Sequence, residues 1–105
     1  MKKKEHDPYI NVTHMFSPGV FQVRCKSTGR SFFGQAETLL PEMERFYNRL
    51  KDGVCESTEL LSDVEKYGIA DFDFIIIYYD VRDKEERKRL LQEKKSKQPL
   101  SSLYN

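Results

Sequence analysis

Residues 19–34 carry the pattern of a β-hairpin, which strongly limits the folds open to the chain. Apolar and polar side chains alternate through residues 19–25, as they do in a strand with one buried face. Residues 26–30 follow as a turn, in which Gly29 supplies the positive φ that a tight reversal needs. Residues 31–34 are then predicted to form the returning strand.

Two amphipathic helices are predicted after the hairpin. The first begins after Thr38, which can cap it, and ends at Gly53. The second begins near Ser57 or Thr58 and stops at Gly68. Its apolar residues recur at helical spacing, which predicts that one face is buried. That predicted face consists of Leu60, Leu61, Val64 and Tyr67.

The strongest strand signal is the apolar run at residues 72–79, whose density predicts a central strand covered on both faces. A highly charged helix is predicted from about residue 84 to residue 95. The order β-β-α-α-β-α predicts an α+β domain with a small three-stranded sheet flanked by helices. We expect an N-terminal arm at residues 1–17, a domain at 18–95, and a C-terminal tail at 96–105 that packs back on the domain or extends from it.

Length and composition bound the functional class. A chain of 105 residues predicts one domain. The basic start has no apolar run behind it, and residues 74–79 are too few to span a bilayer. We therefore expect an intracellular protein, cytoplasmic or organellar and not secreted, with no membrane partner. Cys25 and Cys55 belong to no CxxC motif or Cys/His cluster, so no zinc site is expected; they are predicted to be buried thiols, and a disulfide between them stays open as the alternative.

Two tripeptides of the predicted hairpin resemble the signature of GIY-YIG nuclease domains. Gly19-Val20-Phe21 resembles the first, Phe32-Phe33-Gly34 resembles the second, and ten residues separate them. The likeness extends over residues 19–105. Further matches occur in the family's order: the following helix, Lys66-Tyr67-Gly68, Phe72-Asp73-Phe74, Asp83-Lys84-Glu85-Glu86 and a closing Tyr104-Asn105.

The resemblance implies where catalytic groups should lie, and most of these positions carry side chains unsuited to the chemistry. The family's two tyrosines correspond to Phe21 and Phe32, which cannot relay a proton. The arginine that braces the phosphate corresponds to Glu42, whose carboxylate would repel it. The glutamate that binds metal corresponds to Leu91, which offers no oxygen to Mg²⁺. Only Asn105 matches the family's residue.

Other residues near these positions leave an active enzyme open as an alternative. A basic or histidine position of the family corresponds to Phe46, but Arg45 lies close by and carries a guanidinium. In a divergent Mg²⁺-dependent endonuclease, Arg45 would bind phosphate and Glu93 would bind the metal. Tyr78 or Tyr79 would transfer the proton. The preferred hypothesis is a catalytically degenerate domain without a cofactor, acting as an interaction or structural module in a nucleic-acid-associated assembly with a protein or nucleoprotein partner.

Charge is distributed unevenly and supports a third hypothesis, a nucleic-acid-binding protein of no nuclease ancestry whose contact is the basic C-terminal helix. Residues 36–72 contain four Lys/Arg and nine Asp/Glu, whereas residues 84–105 contain seven and three. A local basic surface can bind phosphates even though the net charge is only +1. The predicted nucleic-acid contacts are Arg87, Lys88, Arg89, Lys94, Lys95 and Lys97.

Overall fold

The computed structural model describes residues 12–105. Its strands form one antiparallel sheet in the order β2-β1-β3. The predicted α+β class, the three-stranded sheet and the order of elements after the arm are confirmed. The elements are α1 (Val12–Met15), β1 (Gly19–Cys25), β2 (Ser31–Ala36), α2 (Leu39–Lys51), α3 (Thr58–Tyr67), β3 (Phe72–Tyr78) and α4 (Lys84–Ser96).

The helices cover both faces of the sheet. Successive residues of a strand point to opposite faces, so Phe21 packs with α2 and α3 whereas Val20 packs with α4. The larger core lies on the Phe21 side and includes Leu39 of α2 and Leu60 of α3. On the other side Leu90 of α4 packs against Val20. Within residues 12–105, no helix is long and apolar enough to cross a bilayer.

The glycines of both motif tripeptides are explained by the close approach of a neighbouring strand, through its backbone at Gly19 and through a side-chain ring at Gly34. A Cβ at Gly19 would lie 2.0 Å from the carbonyl oxygen of Tyr78 on the neighbouring strand. A Cβ at Gly34 would lie 2.7 Å from Cζ of Phe21, the residue with which it is paired across the hairpin. Any larger residue at either position would push the sheet or the ring away, so the glycines fix the geometry of the hairpin.

Three predictions, one about strand order and two about burial, need correction. Strand β3 lies at an edge of the sheet and not at its centre, because β1 pairs with both other strands. Its apolar density instead reflects helices packed on both faces of a small sheet. Tyr67 is 36% exposed, since α3 ends there and Gly68 turns the chain away. Both cysteines are free, but only Cys25 is buried, while Cys55 is half-buried.

The C-terminal residues pair with the free edge of β2. Leu103 forms a parallel bridge with Ser31, and the amide of Tyr104 donates to the carbonyl of Ser31 at 2.8 Å. The Asn105 side chain donates to the carbonyl of Phe33 at 2.8 Å and accepts from its amide at 3.2 Å. These bonds cover backbone groups that an edge strand would otherwise present to other chains.

The described part of the N-terminal arm joins the domain through Ser17. Its hydroxyl accepts a hydrogen bond from the amide of Asp80 at 2.8 Å and donates to the carbonyl of His14 at 2.7 Å. Its carbonyl accepts from the amide of Leu39 at the start of α2 at 3.0 Å. Ser17 therefore links the arm, α2 and the end of β3. Residues 1–11 of the predicted arm lie outside the described residues.

Candidate functional site

A cluster of phenylalanine rings occupies the hairpin and the inner face of α2. The rings of Phe32 and Phe46 stack with centroids 4.7 Å apart, and Phe21 lies 6.4 Å from Phe32 and 6.0 Å from Phe46. Phe74 of β3 meets Phe46 edge-on at 6.5 Å. Phe21 is only 3% exposed, whereas Phe32 and Phe46 are half-buried. The cluster thus joins the core at one end and reaches the surface at the other.

A cleft of about 430 Å³ opens beside the exposed end of this cluster. It is lined by Phe32, Phe46, Arg49, Cys55, Glu56, Ser57, Tyr104 and Asn105. Several of its polar groups already have internal partners. The Ser57 hydroxyl donates to the carbonyl of Tyr104 at 2.9 Å and accepts from the amide of Leu60 at 3.2 Å. The cleft therefore combines aromatic walls with polar groups that help to hold the tail in place.

Tyr104 is fixed at the edge of the cleft by groups from distant parts of the chain. Its hydroxyl donates to the carboxylate of Asp63 at 2.6 Å, and the guanidinium of Arg30 lies 4.5 Å from the centre of its ring. Arg30 also donates to the carbonyl of Leu103 at 3.0 Å and pairs with Glu59. Burial, and then the bond to Asp63, raise the pKa of the Tyr104 phenol. The hydrogen bond to Glu59 raises the pKa of Arg30.

The raised pKa of Tyr104 predicts a loss of stability in alkaline solution. The free phenol titrates near pH 10, so this stabilisation is complete below that pH and declines above it toward the folded pKa. We expect the melting temperature of the wild type to fall more steeply above about pH 10 than that of Tyr104→Phe. At neutral pH the variant should be about 1 kcal/mol less stable because Asp63 loses its donor. Parallel curves above pH 10 would contradict this assignment.

The side chains proposed as substitutes for catalytic groups are not brought together. Arg45 pairs with Glu42 at 3.0 Å on the surface of α2. Glu93 pairs with Arg89 on α4, on the other side of the sheet. The two tyrosines of the β3 region also diverge. Tyr78 packs with the α4 side of the sheet, and Tyr79 packs in the larger core with its ring 4.0 Å from that of His14.

The position expected to bind metal is apolar, and its surroundings do not fit a hard cation. Leu91 packs against both small clusters on the α4 side, and its neighbour Leu90 is buried against Val20 and Val81. Within residues 12–105, no three His, Cys, Asp or Glu side chains lie close enough together to hold a metal ion. Mg²⁺ needs several oxygen ligands. Some of these ligands are commonly waters, but at the position that the resemblance implies for the metal-binding carboxylate, Leu91 supplies no oxygen.

Helix α4 holds its basic side chains in different environments. Arg87 is only 4% exposed and donates to the carbonyls of Val81 at 2.9 Å and Arg82 at 3.2 Å, so its guanidinium is withdrawn from any phosphate. This corrects its prediction as a nucleic-acid contact. Arg89 is held by two carboxylates, and Lys94 lies 5.7 Å from the ring centre of Tyr78. The other three predicted contacts are Lys88, Lys95 and Lys97, and Lys88 and Lys97 are exposed.

The hairpin, the three-stranded sheet and the helices on both faces define a GIY-YIG-like domain. Among solved structures, the catalytic domain of the homing endonuclease I-TevI matches with a TM-score of 0.77 at 18% identity, covering 85% of this chain and 97% of that chain. A glutamate-to-alanine mutant of the catalytic domain of intron endonuclease I-TevI gives 0.68 at 22% identity, covering 84% and 91%. No family model and no curated protein match the sequence. The likeness establishes the fold.

Sequence reasoning missed two groups of residues at this site. The residues that fix Tyr104 lie far apart in the chain, so no local pattern could connect Arg30 with Asp63. Cys55 and Arg49, which line the cleft, likewise carry no motif. On α4, the predicted nucleic-acid contacts left out Lys84. The sequence does contain a signal for it, because Lys84 lies one helical turn before Lys88 and is exposed like it.

Proposed function

We propose that the chain is a catalytically degenerate GIY-YIG-like domain that acts as an interaction or structural module. One observation carries the proposal: Phe21 and Phe32, which correspond to the family's two tyrosines, pack with Phe46 as a continuous aromatic cluster. Benzene rings in mutual contact provide packing energy. They cannot donate, accept or relay a proton.

Electrostatics support the same conclusion. Glu42 stands where the resemblance implies a phosphate-binding arginine, and its carboxylate is paired with Arg45 on the surface of α2. Arg45 is thus engaged by a neighbouring carboxylate. Glu37 and Glu44 add exposed negative charge to the same end of α2. Like charges at a surface repel with an energy on the order of 1 kcal/mol per close pair, so this region disfavours an approaching phosphate.

The fold and the charge distribution support a role in a nucleic-acid-associated assembly. The solved structures that this domain resembles are catalytic domains of an endonuclease. The helices on the two faces of the sheet differ in charge. Together α2 and α3 contain five Asp/Glu and four Lys/Arg, whereas α4 contains three Glu and six Lys/Arg. The basic excess on α4 gives one face of the domain a surface that can attract a polyanion.

A divergent endonuclease remains the second candidate, with Mg²⁺ as its cofactor, but it has less support. It requires Arg45, Glu93 and a tyrosine to converge on one phosphate. Arg45 lies on α2 and Glu93 on α4, on opposite sides of the sheet. Both charged groups are also engaged in ion pairs within their own helices.

A cleavage assay tests the proposal. The purified chain is incubated with Mg²⁺ or Mn²⁺ on single-stranded, double-stranded and branched DNA, with the I-TevI catalytic domain as the positive control. We expect no metal-dependent product, because Phe21 and Phe32 cannot relay a proton and Leu91 offers no oxygen to a metal ion. Arg45→Ala and Glu93→Gln serve as matched variants. Metal-dependent cleavage that either variant abolishes would establish the endonuclease instead.

A further inference from the structure

Three lysines form a row that shares one side of α4 with the half-buried Leu91, and of the three Lys84 and Lys88 are exposed while Lys95 is half-buried. Lys84, Lys88 and Lys95 are four and seven residues apart, and at 3.6 residues per turn they lie within about 40° of one another around the helix. The row extends over about 16 Å at 1.5 Å per residue. Lys97 caps the end of the helix just beyond it. No carboxylate in residues 12–105 lies within ion-pairing distance of these four ammonium groups.

The acidic residues of α4 are mostly gathered on a different side of the helix. Arg89 bridges Glu86 at 3.7 Å and also pairs with Glu93, so both carboxylates are drawn toward its guanidinium. These three residues lie well over 90° from the middle of the lysine row at 3.6 residues per turn. Glu85, in the first turn, is the acid nearest to the row. The internal ion pairs of α4 thus separate its charges and leave one side basic.

The domain holds this helix firmly. Leu90 is buried against Val20 and Val81, and the guanidinium of Arg87 donates to Val81, Arg82 and the side chain of Gln35. The apolar residues of α4 therefore face the sheet and do not form an exposed apolar stripe. A helix that binds a membrane surface needs such a stripe to insert between lipids, so the exposed side of α4 fits a hydrated polyanion better than a bilayer.

We infer that the α4 lysine row, Lys84, Lys88 and Lys95, binds the phosphate backbone of double-stranded nucleic acid without reading its sequence. The inference rests on the proposed function and identifies the surface and the partner class that a non-cutting domain would use. The inferred nucleic-acid contact lies on the face of the sheet covered by α4 and not on the face covered by α2 and α3. A duplex strand presents one phosphate per about 3.4 Å of axis, so a row of about 16 Å spans several of them.

The charge pattern also defines the kind of recognition. The charged groups of the row are all ammonium groups, and the residues beside them on the helix, the half-buried Leu91 and the exposed Gln92, offer no aromatic ring for base stacking. Lysine ammonium groups interact with phosphates mainly as point charges. Binding should therefore be steeply salt-dependent and nearly independent of sequence.

Fluorescence anisotropy with a labelled DNA duplex of about 20 base pairs, titrated with the full chain between about 50 and 200 mM salt, tests the inference. The test variant carries Lys84→Gln, Lys88→Gln and Lys95→Gln. The matched control carries Lys26→Gln, Lys51→Gln and Lys66→Gln, which removes the same charge from exposed sites elsewhere. We expect the test variant to bind about 10-fold or more weakly at low salt, with a salt slope smaller by about 2.7.

A further variant, Glu85→Gln, should bind more tightly than the wild type because it removes the acid nearest to the row.

Three results would overturn the inference: no duplex binding at low salt, equal losses in the test and control variants, or binding to anionic phosphatidylserine vesicles but not to the duplex. Circular dichroism melts of both triple variants confirm that they fold. The cleavage assay measures product and not affinity, so the absence of duplex binding would overturn this inference and leave the proposed function standing.

Discussion

Replacing Phe21 with alanine is expected to destabilise the protein by about 3–5 kcal/mol. The ring is 3% exposed, covers Gly34 and contacts the rings of Phe32 and Phe46. Truncation removes this apolar surface from the core and leaves a cavity beneath α2, which the rigid hairpin cannot close. The effect is measured as the free energy of unfolding in urea, compared with wild type.

Tyr47→Ala is the matched control for this substitution. Tyr47 lies on α2 and contacts the ring of Phe74 at 5.6 Å, as Phe46 of the cluster does at 6.5 Å, but Tyr47 is exposed. We expect it to cost about 1 kcal/mol or less, as most surface substitutions do. Equal losses in the two variants, or a loss below about 1 kcal/mol for Phe21→Ala, would mean that Phe21 is not a core residue. The central argument for a degenerate site would then fail.

The conservative variant Phe21→Tyr separates packing from chemistry. It keeps the ring and restores the hydroxyl that the family resemblance implies, so it should fold. We expect it to remain without metal-dependent cleavage, because Leu90 and Leu91 still offer no oxygen to a cation. Restored cleavage would show that the described residues conceal a working metal site.

The local elements could be predicted because their signals are local. Alternation and Gly29 specify the hairpin, Ser57 caps α3 by accepting from the amide of Leu60, and Gly68 ends it at a φ of 87°. Each signal acts within a few residues, so the sequence contains it whole. A cap of the same kind precedes α4, where the side chain of Asp83 accepts from the amide of Glu85 at 3.0 Å, and the helix begins at residue 84 as predicted.

Long-range placement could not be predicted in the same way. Hydrophobicity alone does not encode which strand of the hairpin pairs with β3, although the edge position of β3 follows once β1 and β2 form a hairpin in a three-stranded sheet. The tail is similar, since Tyr104 meets Asp63 and Arg30 only after the whole domain has assembled. The resemblance located the site residues, but it could not show that Phe21, Phe32 and Phe46 touch.

Replacing Arg87 with methionine is expected to cost about 2–4 kcal/mol. The guanidinium is buried and donates to the carbonyls of Val81 and Arg82 and to Gln35, which would all lose their donor. Methionine fills much of the volume but donates no hydrogen bond, so the loss of stability measures the contribution of these hydrogen bonds. Arg89→Met is the control, and it should cost under about 1 kcal/mol because its ion pairs are at the surface.

Arg87→Lys adds a second test of the same contact. Lysine keeps the charge but lacks the planar fork that reaches several acceptors at once, so it should recover less than half of the lost stability. Hydrogen exchange should also quicken at the first amides of α4, because Arg87 ties that end of the helix to the chain after β3. Full recovery by lysine, or unchanged exchange in Arg87→Met, would show that charge or burial alone holds the helix. The α4 lysine row would then lack the rigid support that its alignment with a phosphate backbone requires.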